Sequence, residues 1–271
     1  MQKIKTRLIY PIFIPHTGCP FRCIYCNQNK ITRVAPTTIY EIEEKRGAIK
    51  DFITKHKDNY KEIAFYGGSF TCLTREKITS YFAQITPYFD DKTFFRVSTR
   101  PDFLDYEILQ FLKSMKVNTI ELGIQSFADK VLVACKRGYN TEIAVNACKM
   151  VLSQGFNLSV QFLIGLPEED LECIKHNIEK LIEIKPDFVR LYPLLVLKET
   201  ELDDLYKNGA YKPLSLDDAV KICSMYLKTC NENEIKVIKI GLHSDIAKDD
   251  VVAGPFHERI GELVRERIRM E

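Results

Sequence analysis

The chain reads as an α/β protein, a partial (β/α)6 TIM-like barrel with a C-terminal helical extension, and three observations say so. Short β-branched and aromatic runs alternate with stretches of helical periodicity, the pattern of right-handed βαβ crossovers and a parallel sheet. Glycine and polar clusters follow the ends of those runs, where a parallel β/α barrel keeps its reactive groups. No linker or low-complexity stretch divides the 271 residues. One barrel over residues 1–232, with an extension over 233–271 that packs on it, is the simplest division.

Residues 8–14, Leu-Ile-Tyr-Pro-Ile-Phe-Ile, read as the first strand, and Pro11 inside it suits an edge better than a centre. A helix follows from Thr38, an N-cap with Glu41 three residues on, and Ile42, Ile49, Phe52 and Ile53 supply its apolar stripe. Further strands are expected at 62–66, 94–98, 119–123, 158–164 and 187–191, with a late one at 236–240. Helices are expected at about 77–88, 104–114, 141–154, 171–184 and 216–231, with Asp102 as a candidate N-cap. Residues 255–271 close the chain as an amphipathic helix, with Ile260, Leu263, Val264 and Ile268 on one side and His257 beside Glu258 at its start. It ends without a cap, as a helix does that continues further or packs on a partner.

Apolar residues at 45% and charged ones at 28% are ordinary for a soluble globular protein. With 39 basic and 37 acidic residues, the net charge of +2 marks no general nucleic-acid binder, so an RNA surface would have to be a local patch. Nine cysteines, an odd count, argue for a reducing compartment rather than a disulfide scaffold, and the chain reads as cytoplasmic. Six of them, Cys72, Cys135, Cys148, Cys173, Cys223 and Cys230, read as small buried hydrophobes. The apolar run after the charged N-terminus is too short for a signal sequence or a membrane span.

The remaining three carry chemistry. Cys19, Cys23 and Cys26 stand at C-x3-C-x2-C spacing directly after the first strand. On a straight helix the first and last would lie about 10 Å apart, whereas Gly18 and Pro20 favour a loop that wraps. Three thiolates fit a cubane iron–sulfur cluster whose fourth iron has no protein ligand. A Cys3His zinc site completed by His16 is the competing reading.

With Tyr25 before its last cysteine, this loop resembles the cluster loop of the radical S-adenosylmethionine (SAM) superfamily. Gly67-Gly68-Ser69 after the second strand resembles the superfamily's glycine motif, whose backbone receives the amino group of SAM. Ser98-Thr99-Arg100-Pro101-Asp102 resembles the Glu-Thr-Arg-Pro-Asp stretch of the Elongator catalytic subunit family, with Ser98 in place of the carboxylate and Arg100 in a region that meets SAM. Gln125 and Arg137 resemble SAM-contacting positions of coproporphyrinogen-oxidase-like enzymes, an Arg being suited to the methionine carboxylate. The fifth strand ends in the Gly165-Leu166-Pro167 turn many such enzymes carry, which implies adenine along the backbone of Phe162 and Ile164. Gln161 stands where the oxidase-like enzymes have Asp. Residues 189–202 and the stretch Tyr206-Lys207-Asn208-Gly209-Ala210-Tyr211-Lys212 resemble the Elongator-like branch, with no acetyltransferase domain following.

The resemblance implies a barrel of the radical SAM type with a 4Fe-4S cluster on Cys19, Cys23 and Cys26 and SAM beside it. It implies reductive cleavage of SAM to methionine and a 5′-deoxyadenosyl radical that abstracts hydrogen from a substrate, fed by an external one-electron donor such as flavodoxin or ferredoxin. The Elongator-like branch implies a tRNA wobble uridine, with Lys30, Arg33, Lys236, Lys239 and Lys248 as a phosphate-binding patch. The rivals are a small-molecule or porphyrin-like substrate, and a non-enzymatic zinc or iron–sulfur binding module.

Overall fold

A computed structural model describes residues 8–14, 19–27, 30–31, 39–242 and 246–270. His16, Gly18, Arg33 and the Thr38 cap lie outside the described residues, as does the side chain of Glu41.

Seven strands form one parallel sheet: β1 (Leu8–Phe13), β2 (Lys61–Tyr66), β3 (Thr93–Thr99), β4 (Val117–Gln125), β5 (Asn157–Ile164), β6 (Phe188–Pro193) and β8 (Lys236–Ile240), in the order β1-β2-β3-β4-β5-β6-β8. Neighbours in sequence are neighbours in space, each crossover carrying at least one helix that packs back onto the sheet. The late strand expected at 236–240 is β8, on one edge, and β1 with its proline is on the other. A flat sheet would hold these edges about 29 Å apart, at roughly 4.8 Å per strand. Instead Pro11 of β1 and Lys239 of β8 line the same cavity, so the sheet curls into a half-barrel.

The helices are α1 (Ile39–Lys55), α2 (Arg75–Ala83), α3 (Tyr106–Ser114), α4 (Asp129–Ala134), α5 (Thr141–Ser153), α6 (Leu171–Ile184), α7 (Glu201–Lys207), α8 (Leu216–Glu232) and α9 (Ile260–Met270), and the longer ones cover the outer face of the sheet while α7 packs beneath the cysteine loop. Side-chain caps set their starts where the sequence offers them: Asp105 Oδ1 accepts from Ile108 N at 2.7 Å and Asn140 Oδ1 from Ile143 N at 3.0 Å. The candidate cap Asp102 is not one. It sits in a 3-10 turn before α3, and its carboxylate is taken by Arg100, Nε and Nη2 each at 2.9 Å. The helix expected over 77–88 breaks after Ala83, and a 3-10 turn at Thr86–Tyr88 opens around Pro87, which cannot continue the helix's hydrogen bonding.

Strand alternation sorts the two faces. Along β2, Ile63 and Phe65 point to the helices, where Phe65, Phe70, Tyr81, Phe82 and Phe95 form an aromatic core and the Phe82 and Phe95 rings stack at 4.0 Å. Tyr66, of the opposite parity, lines the barrel cavity. The C-terminal helix begins at Ile260, later than expected, and packs on α8 with Ile260 and Val264 buried.

Two features escaped sequence reading. Short strands β7 (Val196–Leu197) and β9 (Val251–Ala253) pair antiparallel, tying the segment after β6 to the C-terminal stretch. That segment buttresses the cysteine loop: Leu202 N donates to Ile24 O at 2.9 Å and Asn27 Nδ2 to Lys198 O at 3.3 Å. Ile24, Tyr25, Leu194, Val196 and Leu202 share a second apolar cluster beneath it. Tyr211 donates to Gly165 O at 2.6 Å, so the Tyr-Lys stretch also braces the Gly-Leu-Pro turn.

Candidate active site at the strand ends

The cysteine loop, the glycine turn after β2 and the ends of β3 to β5 meet at the mouth of a cavity of about 400 Å³ inside the half-barrel, a volume within the range of small-ligand sites. Cys19, Cys23 and Cys26 line it, with Tyr25, Gly67, Gly68, Ser69, Ser98, Arg100, Gln125 and Arg137. Phe162 and Ile164 do not. Their side chains turn outward into the core, Phe162 against Phe127 and Tyr226, while Gln161 and Leu163 face the cavity. Only backbone of those two residues is left to meet a ligand, and the Ile164 carbonyl already accepts from Leu194 N at 2.9 Å.

Arg137 ties the loop to the sheet. Nη1 donates to Cys23 Sγ at 3.1 Å and Tyr25 OH at 3.3 Å, Nη2 to Gly123 O and to Tyr139 OH at 2.7 Å, and Nε to Tyr139 OH at 3.0 Å. All five guanidinium donors are engaged. Burial works against its charge, yet Tyr139, Tyr25 and Cys23 around it hold its pKa well above the usual value, so it stays a cation. Gly138 follows because the Phe21 ring of the cysteine loop lies on it: a Cβ there would come within 2.9 Å of that ring, and its φ of +78° favours glycine in any case. The Arg100 guanidinium lies over the Phe21 ring, 4.7 Å from its centroid.

Ser69 is buried and joins the glycine turn to β3: its hydroxyl lies 3.0 Å from Thr99 Oγ1 and accepts from Arg100 N at 3.3 Å. Cys72 departs from the expectation of a buried apolar residue. It is half-buried at this site, with Sγ 3.0 Å from Ser69 Oγ, and burial pushes its thiol up to about 11. Burial likewise raises Cys19, while a hydrogen bond from the Ser69 backbone and the charges of Arg100 and Arg137 pull the other way. Of the five basic residues expected to form a phosphate patch, Arg33 lies outside the described residues and the other four are placed differently. Lys30 is held by Asp250 at 3.1 Å and Glu199 at 3.4 Å, Lys239 faces the barrel cavity, and Lys236 and Lys248 are separately exposed.

The donor set fits a cluster with a nucleotide beside it. No disulfide joins any of the nine cysteines. Among the described residues no three Cys, His, Asp or Glu side chains converge tightly enough for one metal ion, a convergence that a cubane bound through a different iron by each thiolate does not require. The guanidinium groups of Arg100 and Arg137 place positive charge beside the thiols, where an anionic cluster would sit. Gln125 Oε1 is buried without a hydrogen-bond partner among the described residues, on a residue at φ 69° where β4 bulges, which leaves an acceptor for a ligand's donor at the strand end.

A model of the radical SAM superfamily matches residues 13–181, and one of the radical SAM C-terminal domain matches 186–270. The chain belongs to the radical SAM superfamily. Its cofactors are those of the superfamily, a 4Fe-4S cluster and SAM. Over 172 residues this radical SAM chain is 34% identical to the tRNA uridine(34) acetyltransferase of Methanocaldococcus jannaschii, covering 62% of this chain and 31% of that one. It therefore spans about a third of that relative's length. Over 249 residues it is 24% identical to the heme chaperone HemW of Lactococcus lactis, covering 90% of this chain and 65% of that one. The archaeal Elp3 of Methanocaldococcus infernus superposes with a TM-score of 0.73 at 20% identity, covering 98% of this chain and 64% of that one, and shares the fold. Among the described residues no helix is long and apolar enough to cross a membrane.

Below the mouth lies a charged network that motif reading passed over. Arg96 Nε donates to Glu62 Oε2 at 2.8 Å and Nη1 to Glu121 Oε2 at 3.3 Å, and Arg190 Nε pairs with Glu121 Oε2 at 2.9 Å. Charged residues inside otherwise apolar strand runs were the available signal, since a buried parallel strand has no solvent face to place them on.

Proposed function

We propose that this chain is a radical SAM enzyme that abstracts hydrogen from a substrate in tRNA modification. The convergence of three cysteines, a glycine turn and an orphaned Gln125 acceptor at one cavity mouth carries the reading. Cys19, Cys23 and Cys26 would hold the cluster, and Gly67, Gly68, Ser69, Ser98 and Gln125 would receive SAM. When bound, these cofactors supply one-electron cleavage of SAM coupled to hydrogen abstraction.

The chain's own residues do the positioning. Arg137 fixes Cys23 and Tyr25 against the end of β4, and with every donor engaged it acts on the loop rather than on a SAM carboxylate. Arg100, clamped by Asp102, closes the wall behind Phe21. The apolar cluster under Ile24 and Tyr25 keeps water from the back of the loop. The tRNA reading draws on the acetyltransferase relatives; an external one-electron donor of the flavodoxin or ferredoxin kind would serve the cluster.

Anaerobic reconstitution should yield about four iron and four sulfide per chain, with 5′-deoxyadenosine formed from SAM and dithionite and isotope exchanged into tRNA. Ala at any one of Cys19, Cys23 or Cys26 should abolish both cluster loading and SAM cleavage. SAM turnover that survives any of these replacements ends the proposal. The extensive HemW match supports a second reading: a chain that binds heme and transfers it without consuming SAM is a chaperone.

A further inference from the structure

The cavity floor carries a constellation that the strand-end motifs do not use. Arg190 on β6 and Lys239 on β8 are partners across the sheet, and both line the cavity. This pairing exists because β8 bulges: Val237 pairs with Val189, then one residue is skipped and Lys239 pairs with Arg190. Without the extra residue, Ile238 would stand there and the lysine would point elsewhere.

Arg190 is held from below and from the sides. Its Nε pairs with Glu121, Nη1 donates to Tyr192 OH at 3.0 Å, and Nη2 to Tyr66 OH at 2.7 Å. One N–H on each terminal nitrogen then has no acceptor among the described residues, a forked pair of donors. Lys239 has no hydrogen bond or carboxylate partner among the described residues. Among the inward-facing side chains of the strands themselves, below the strand ends, Glu62 and Glu121 stand against Arg96, Arg190 and Lys239, which leaves one cation over. An unmatched cation in a partly buried cavity is costly unless an anion arrives to meet it.

We propose that Arg190 and Lys239 form an anchor for a single oxyanionic group, a carboxylate or a phosphate, on the part of the substrate that enters the barrel. The fork of Arg190 takes two oxygens and Lys239 supplies the neutralising charge. Arg190 lies two residues below Tyr192 on β6, about 7 Å deeper at 3.3 Å per residue. Arg190 Nη1 reaches up to Tyr192 OH and the Lys239 ammonium lies beside Gly241, so the anion is held below the cysteine loop and the carbon it carries is presented upward to it. This role for the anchor rests on the radical SAM reading; the anion site itself does not.

The test uses the full chain with its cluster reconstituted, titrated separately with inorganic phosphate and with acetate against chloride at equal ionic strength, binding read by calorimetry. At least one oxyanion should bind above the chloride control, and whichever does names the group. Lys239→Gln should weaken that binding about tenfold, the loss of one charge-assisted contact, while Lys239→Arg keeps it within about threefold. Iron content and circular dichroism serve as fold controls. No oxyanion binding in the wild-type protein, or undiminished binding in a folded Lys239→Gln, overturns the anchor. Lys239-dependent anion binding in a protein that never cleaves SAM upholds the anchor and removes the proposed hydrogen-abstraction activity.

Discussion

Replacing Arg96 with Met tests whether the charges under the cavity are balanced as the geometry indicates. Arg96 is buried, with Nε 2.8 Å from Glu62 and Nη1 3.3 Å from Glu121. Without it Glu121 keeps Arg190 at 2.9 Å, but Glu62 loses its cation and retains only the Asn118 amide at 3.0 Å and the Thr119 hydroxyl. Stranding one buried charge costs about 3–5 kcal/mol, a fall in Tm of roughly 6–20 °C at about 2–4 °C per kcal/mol. Met nearly fills the aliphatic space of the lost side chain, so little of this comes from a cavity. Urea unfolding followed by circular dichroism in anaerobic buffer measures it as a change in midpoint at constant slope. Adding Glu62→Gln to the Met variant removes the stranded charge and should recover more than half of the loss. A single variant within about 1 kcal/mol of wild type, or a double variant no better than the single, would refute the charge-balance reasoning.

Glu169 titrates in the physiological range: burial pushes its carboxyl up to about 7, against the pull of backbone hydrogen bonds from Gly165 and Leu166. Its contribution to stability is fully present below about pH 4.5 and lost as pH rises through 7, so Glu169→Gln should flatten the stability profile over that window in pH-resolved melts. Gly261 lies in α9, where Ala ordinarily stabilises a helix by up to about 1 kcal/mol. A Cβ there would stand 2.6 Å from the Ile240 carbonyl oxygen, so Gly261→Ala should instead cost about 1–3 kcal/mol in the same unfolding assay.

The elements themselves were readable locally. The short apolar runs that became β2 to β6 and the helical stretches at 141–154 and 171–184 each depend on neighbours a few residues away, and pattern alone places such features. Where a local cue misled, a competing local cue explains it. Asp102 looked like a cap, but Arg100 two residues earlier claimed its carboxylate. The cysteine triplet and the glycine turn could likewise be picked out before any fold was known, because ligand spacing is itself a sequence property.

What the chain's order of residues settled, then, was the succession of strands and helices and the chemistry waiting at their ends. Tertiary structure alone decided which inward charges meet. Glu62, Arg96, Glu121 and Arg190 come from four strands, and whether they neutralise one another depends on register across the sheet. It also decided that Lys239 turns from a presumed surface patch into the barrel, through one skipped residue in β8, and that residues 198–202 hold up a cysteine loop far earlier in the chain. The physical reason is the same in each case: a side chain's direction in a strand reverses with every residue, so a single bulge, invisible to periodicity, determines what it faces.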